Sequence, residues 1–313
     1  MIFVEMNGRL GNQMFRYAFA RMLQLQSEEK EEPLIFDFSN IWKEKKKEEM
    51  PGWEDSLKEF CVVAYSYYEG KKSILMQETT IMQKLVLGIV KAGDRLVRKK
   101  GTLSRIRWRK RFFRWMNRQG IYQMFTGYDY PYVWVAGKKI LCAPFECARF
   151  PESIRKELLQ EFVPKHPVLA KNKELLERIC TSESVCVSVR RGNYLAYPGL
   201  NVCTVEYFER AAEKMCSMVE RPIFFVFSDD VEWIRRNLCF PGETYYEEGA
   251  DPAWEKLRLM YSCRHFIISN STFSWWAQFL GQFPDKKVIA PDRWYNDEYV
   301  PPLYEDGWVT VEV

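Results

Sequence analysis

The sequence is poor in the residues that most often carry chemistry on their own. It has two histidines, His166 and His265, far apart and in no ligand-spacing pattern. Its nine cysteines form no CxxC pair, follow no regular spacing and are odd in number. These absences exclude a zinc centre of ordinary spacing and, in a chain this long, a disulfide framework. The cysteines read as small buried apolar residues in a reducing compartment. No run approaches the length of about 18 apolar residues that spans a bilayer. The opening MIFVEMNGRLGNQ lacks the basic start, apolar block and cleavage site of a signal peptide, so a cytoplasmic protein is expected. The glycine turn GRLGNQ at Gly8–Gln13 is not GxGxxG and has no Walker lysine. No fixed-period repeat and no low-complexity tract beyond charged patches is visible.

What is present points to an enzyme-sized globular chain. The 313 residues suit two domains, and 47% hydrophobic residues are enough to fill two cores. Aromatics at 16%, with 11 Trp, fit either large cores or stacking against sugars or bases, and composition does not choose between these. The net charge of +4 is uneven. From Lys84 to Arg118 there are 13 Lys/Arg and one acid, Asp94, a local +12, so the remainder sums to 4 − 12 = −8.

Along the chain, short apolar runs alternate with segments of helical period. Residues 2–6 and 34–38 read as strands flanking a helix over 13–26. Residues 40–60 read as a charged surface excursion, and 75–125 as a basic helical insertion. A strand at 140–144 and a helix at 152–162 lead to Val163-Pro164-Lys165-His166-Pro167, whose two prolines suggest a linker. Strands then follow at 185–189, 223–227, 265–269 and 288–290, with helices at 205–218, 254–262 and 273–280. This predicts an α/β protein of two doubly wound domains facing each other, 1–165 and 166–313.

In such sheets ligands bind beyond the carboxyl ends of the strands. Three strand ends in the second half carry unusual residues: Arg190-Arg191, Asp229-Asp230 and Asn270-Ser271-Thr272. An arginine fork suits phosphate. Ser271 and Thr272 stand where a helix begins, and a helix N-terminus attracts anions. A carboxylate such as Asp229 can accept from a base edge or a ribose hydroxyl. If the strands are neighbours, the set suits a nucleoside diphosphate without requiring a metal. Taken singly, each has a plainer reading: a solvated arginine pair, a turn or cap, a helix cap. In the first half, Asn12 and Gln13 at a helix start could bond a ligand or simply form the turn. Glu5, Asp37 and Glu146 are the carboxylates placed near strand ends as candidate bases.

The stretch RIRWRKRFFRWMNR, Arg105–Arg118, places Trp108, Phe112 and Trp115 on one helical face with arginines on its flanks. It fits an anionic membrane surface, nucleic acid in general terms, or a helix that packs its aromatics inward.

GRLGNQMFRYAFARML, SVRRGNY, FSDD and ISNSTFSWWAQFL, in this order, resemble the motifs of the α-1,2-fucosyltransferases of glycosyltransferase family 11, from the first strand to about Trp294. FECARF, Phe145–Phe150, followed by SIRKEL, is similar to a further family segment. The resemblance implies a GT-B-like fold with two Rossmann-like domains across a cleft. It also implies a GDP-fucose donor, inversion at the anomeric carbon, no metal, and the 2-hydroxyl of a terminal β-galactose in a glycan as acceptor. By the same resemblance Arg190 would hold the pyrophosphate and act catalytically with Asn12, and Arg191 would be partly structural. Asp229 or Asp230 would meet guanine or ribose, and Ser271, Thr272, Phe273 and Gly11 would line the donor. Arg9, Asn12 and Glu146 would face the acceptor. The family pattern HxRRxDY has Ser188 in place of its His and Asn193 in place of its Asp. A donor contact would then fall to the Ser188 hydroxyl, and the arginines would have one carboxylate fewer. GDP-fucose and a galactose-terminated glycan are therefore the expected partners, with contact to an anionic inner membrane through 84–118 and none to nucleic acid.

Overall fold

The computed structural model describes residues 1–28, 32–46, 52–126, 128, 131–248 and 250–313, without the side chain of Asn193. Part of the charged excursion, 47–51, thus lies outside the described residues. The chain forms two compact units, Met1–Phe162 with Pro301–Leu303, and Val163–Val300 with Tyr304–Val313. The division falls at the head of the proline-containing segment. The short return 301–303 belongs to the first unit, where the Ala148 amide donates to the Pro302 carbonyl at 2.8 Å.

The first unit runs β1 (Ile2–Glu5), α1 (Leu10–Leu25), β2 (Leu34–Asp37), α2 (Ser39–Lys45), β3 (Ser66–Tyr67), α3 (Ile74–Gln77), α4 (Ile81–Val97), α5 (Thr102–Arg118), β4 (Ile121–Gln123), β5 (Lys139–Cys142), α6 (Arg149–Ser153) and α7 (Arg155–Glu161). The strands form one parallel sheet in the order β3-β2-β1-β5-β4. A parallel sheet is covered on both faces, so its strands read as unbroken apolar runs, as IFVE and LIFD do. α1 begins three residues earlier than its periodicity suggests, because the extended Arg9 directly precedes its first turn. The segment read as one helix over 152–162 is two helices, broken at Ile154 with φ −132° and ψ 32°.

Much of the aromatic content goes into this core. Phe19 of α1 stacks on Phe145 at 4.2 Å and touches Tyr122, Tyr128 and Phe150 at 4.7–5.6 Å, a geometry that adds to the area the rings bury. The aromatic face of α5 also turns inward. Trp108 Nε1 donates to the Val90 carbonyl of α4 at 2.9 Å, and Phe112 and Trp115 pack on Val90, Met116 and Ile121. The aromatic face of 105–118 is thus an internal contact, and any membrane contact of 84–118 must use another surface.

The second unit runs α8 (Lys173–Thr181), β6 (Ser184–Val189), α9 (Val205–Cys216), β7 (Ile223–Ser228), α10 (Val231–Asn237), β8 (Thr244–Tyr246), α11 (Ala253–Tyr261), β9 (His265–Ile268), α12 (Thr272–Leu280), β10 (Val288–Pro291) and β11 (Val309–Val311). Its six parallel strands lie in the order β11-β10-β9-β6-β7-β8. Counted from β6, this is the doubly wound order 3-2-1-4-5-6, and its switch point lies between β6 and β9. Four of these elements, α8, α10, β8 and β11, are additional to those expected from the sequence; β8 and β11, at three residues each, are too short to show a period.

One buried ion pair tests the first unit. Lys139 opens β5 fully buried, with Nζ 2.9 Å from Glu32 Oε2 and 3.0 Å from the Gly137 carbonyl. Removing one partner of a buried pair strands the other charge. Glu32→Ala is therefore expected to lower unfolding stability by about 3–5 kcal/mol, measured as a shift in the urea midpoint at unchanged slope.

Candidate active site

The topology of the second unit brings the three marked strand ends together. β6 lies between β9 and β7, with Ser188 opposite Ile268 and Val189 opposite Ser228. Arg190-Arg191 therefore emerge between Asp229-Asp230 on one side and Asn270-Ser271-Thr272 on the other. This is the carboxyl edge of the sheet at its switch point, where a phosphate-bearing ligand meets strand ends and a helix N-terminus.

Asp229 organises this edge. Its Oδ2 lies 2.6 Å from Arg190 Nη1, and its Oδ1 accepts from the amides of Arg191 at 3.0 Å and Gly192 at 3.2 Å. A Cβ on Gly192 would stand 2.3 Å from that Oδ2, so glycine is what allows the carboxylate so close. The Arg190 guanidinium lies 5.4 Å from the Tyr194 ring centroid and stays 21% exposed. Arg191 stacks on Trp233 at 3.5 Å, with its Nε 3.3 Å from Asp230 Oδ2. Asp230 also caps α10, accepting from the Trp233 amide at 3.3 Å. The two carboxylates expected at guanine or ribose are therefore engaged with the arginines. The Asn193 side chain lies outside the described residues.

Ser188 lies on the same strand, β6. Its hydroxyl is buried and bonded at 2.7 Å to Ser274 Oγ of α12, which also meets Ser269 Oγ at 3.1 Å. The bond to Ser274 ties β6 to α12. α12 starts at the edge of the site. Ser271 is its N-cap but makes no side-chain cap bond, so that side chain does not occupy the first-turn amides. Thr272 and Phe273 are half-buried in the same turn. Trp275 and Trp276 are fully buried and anchor the helix behind it. Asn270 is structural: its Nδ2 donates to the carbonyls of Leu200 and Trp294, both at 2.9 Å.

The first-half residues lie at the corresponding edge of the other unit. Arg9, Gly11 and Asn12 follow β1, and Glu146 follows the neighbouring β5. Arg9 lies 5.7 Å from the Trp53 ring centroid. The Asn12 side chain folds back over the turn, 2.7 Å from where a Gly8 Cβ would stand. Gln13 is fully buried and committed internally, donating to the carbonyls of Gly8 and Glu54 and accepting from the Ser56 amide. Glu146 is buried and follows Phe145, whose φ of 57° is rare outside glycine. Glu5 ends β1 half-buried beside Asp37. Burial raises its carboxyl above the usual range, and the Arg16 charge opposes this only in part. Asp37 accepts from the Ser39 amide at 2.9 Å, a turn bond at the start of α2.

Several contributors were hidden in the sequence. Gly192 and Tyr194 sit within SVRRGNY and Ser274 within SNSTFSWW, so position alone could have drawn attention to them. Trp233 carries no such signal. An open hollow lined by Glu183, Met218, His265 and Lys287 lies at the amino ends of β6 and β9, away from Arg190.

A sequence model of glycosyl transferase family 11 matches residues 1–312. The chain belongs to that family and is a glycosyltransferase. It is 25% identical to the O-antigen biosynthesis glycosyltransferase WbnK of Escherichia coli, over 98% of this chain and 99% of that protein. Over half of this chain it is 30% identical to an alpha-1,2-colitosyltransferase of Escherichia coli, of which 57% is covered. It is 26% identical to galactoside alpha-(1,2)-fucosyltransferase 1 of Leontopithecus chrysomelas, over half of each chain. The crystal structure of NodZ alpha-1,6-fucosyltransferase soaked with GDP-fucose superposes with a TM-score of 0.52 at 12% identity, covering 93% of this chain and 94% of that one. The fold is GT-B-like.

Gly192→Ala tests the edge. The added methyl must displace Asp229 and release the Arg190 fork. Charge-assisted hydrogen bonds contribute about 1.5–3 kcal/mol. Affinity for a nucleoside diphosphate, measured by calorimetry, should fall about 10–100-fold.

Proposed function

We propose that this glycosyltransferase transfers L-fucose from GDP-β-L-fucose, with inversion, to the 2-hydroxyl of a terminal β-galactoside in a surface polysaccharide or oligosaccharide. The observation that carries the reading is the meeting of Arg190, the N-terminus of α12 and the Asp229 carboxylate at one switch point. The family motifs and the α-1,2-transferases among the relatives support the linkage. In the step, the acceptor oxygen bonds to C1 and the C1–O bond to the β-phosphate breaks. The electron pair leaves on GDP, and the hydroxyl proton passes to a base or to water. Negative charge grows on the diphosphate through an oxocarbenium-like transition state. A fixed guanidinium and helix N-terminus meet that charge without reorganising, the task a metal performs elsewhere. Ser271, Thr272 and Phe273 line the phosphates, and Arg191 is held in place by Trp233. Arg9, Asn12 and Glu146 serve the acceptor. A second reading keeps the site and changes the sugar: the match to a colitosyltransferase favours colitosyl transfer as the alternative.

The test is incubation with GDP-fucose, and with other GDP-sugars, over a panel of β-galactosides, with linkage analysis of the product. Arg190→Ala should lose transfer by about 10²–10³ in kcat, as for one donor to a developing anion. Arg190→Lys should restore little, because an ammonium cannot reproduce the fork. Near-normal turnover in purified Arg190→Ala would sink the assignment.

Glu5 is a candidate base whose burial brings its carboxyl closer to a working pH. A base must be deprotonated, so activity should fall as pH drops through a value above the ordinary 4.5. In Glu5→Gln that acidic limb should vanish and the rate drop about 10²–10⁴-fold. An unchanged rate would mean that the proton leaves to solvent in a dissociative step.

A further inference from the structure

α4 has two apolar sides, and the fold uses only one. Val86, Leu87 and Val90 pack inward with α5 and β4, and Gly93 and Asp94 are buried beside them. On the opposite side Ile81, Leu85, Ile89, Ala92 and Leu96 recur at i, i+4, i+8, i+11 and i+15, with Met82 alongside. All are exposed, the large ones by 54–81%. A helix whose apolar stripe faces water for its whole length needs a partner. At 1.5 Å per residue the stripe is about 22 Å long.

The charges say which partner. Lys84, Lys91 and Arg95 fall together along one border of the stripe by helical spacing, and all three are exposed. Among the 13 Lys/Arg of 84–118, Arg105 and Arg109 are paired with Asp94 at 2.8 and 3.0 Å. The other eleven are exposed. Asp94, the segment's sole acid, is buried, so this hairpin shows no exposed negative charge.

We propose that α4 lies in the plane of an anionic lipid bilayer, its aliphatic stripe at the acyl boundary and its bordering bases at the headgroups. No helix among the described residues is long and apolar enough to cross a membrane, so this is contact with the surface. A second copy of the chain fits poorly, because a two-fold pairing of the stripes would bring two strongly basic hairpins together. Nucleic acid has no use for five aliphatic residues in a row, and the rings that could stack on bases, Trp108, Phe112 and Trp115, face inward. The proposal concerns a surface apart from the transfer site and does not rest on the choice of sugar.

Flotation with vesicles of phosphatidylcholine containing about 30 mol % phosphatidylglycerol, against phosphatidylcholine alone, tests it. The full chain should float with the anionic vesicles, stay behind with the neutral ones, and be released by about 0.5 M salt. Each basic residue near an anionic surface contributes about fivefold in partitioning. The triple variant Lys84→Gln, Lys91→Gln, Arg95→Gln should therefore bind on the order of a hundredfold more weakly. The triple variant Ile81→Ser, Leu85→Ser, Ile89→Ser should lose flotation as well. The substituted positions are exposed, so both variants should keep the parent's circular dichroism and melting temperature. A parent chain that stays in solution with anionic vesicles overturns the proposal, as does a serine variant that floats undiminished. So does a lipid-free dimer, seen by sedimentation velocity, that the serine variant abolishes, which would assign the stripe to a second copy.

Discussion

The second unit's site depends on one carboxylate. Two adjacent arginines at the end of a buried strand repel each other and have no reason to hold still. Asp229 corrects both faults. It sits one strand away, on the end of β7, pairs with Arg190, and accepts from the two backbone amides that follow. With both partners about a fifth exposed, the pair adds little to stability. Its value is positional: it fixes where a guanidinium stands before any ligand arrives, and preorganised charge is what stabilises a charge that appears only during reaction.

The rest of the edge serves the same constraint. Gly192 leaves room for the carboxylate, Trp233 and Asp230 hold Arg191 aside, and Ser188 and Ser269 meet at Ser274. That hydroxyl cluster links the strand bearing Arg190 to the helix whose N-terminus shares the site. In the family pattern, the charge balance of this motif includes an Asp where this chain has Asn193. Asp229, the partner of Arg190 across the sheet, lies 39 positions further along the chain.

The alternation of apolar runs and helical segments made the α/β class legible, since a covered parallel sheet needs unbroken apolar strands. The strand ends were legible as well, because Arg190, Asp229 and Ser271 each follow such a run directly. Their roles were less so. Ser188 and Gln13 look like ligand-facing polar residues in the motifs, yet their bonds close inside the protein. β3 and β4, at two and three residues, are too short to show a period. In 105–118 the sequence displayed an aromatic face with basic flanks, and only packing showed that this face is covered while the aliphatic side of α4 is bare.

By itself, then, the sequence determined the family, the class of fold and the short list of residues at strand ends, because these follow from periodicity and from motifs in fixed order. Packing settles which of them act together. Strand order placed β6 between β7 and β9, and no local pattern encodes that neighbour relation. It also decided that Asp229 serves Arg190, and that α4 turns its second apolar side outward. Hydrogen-bond partners and burial are properties of segments far apart in the chain, and they exist only once those segments have packed.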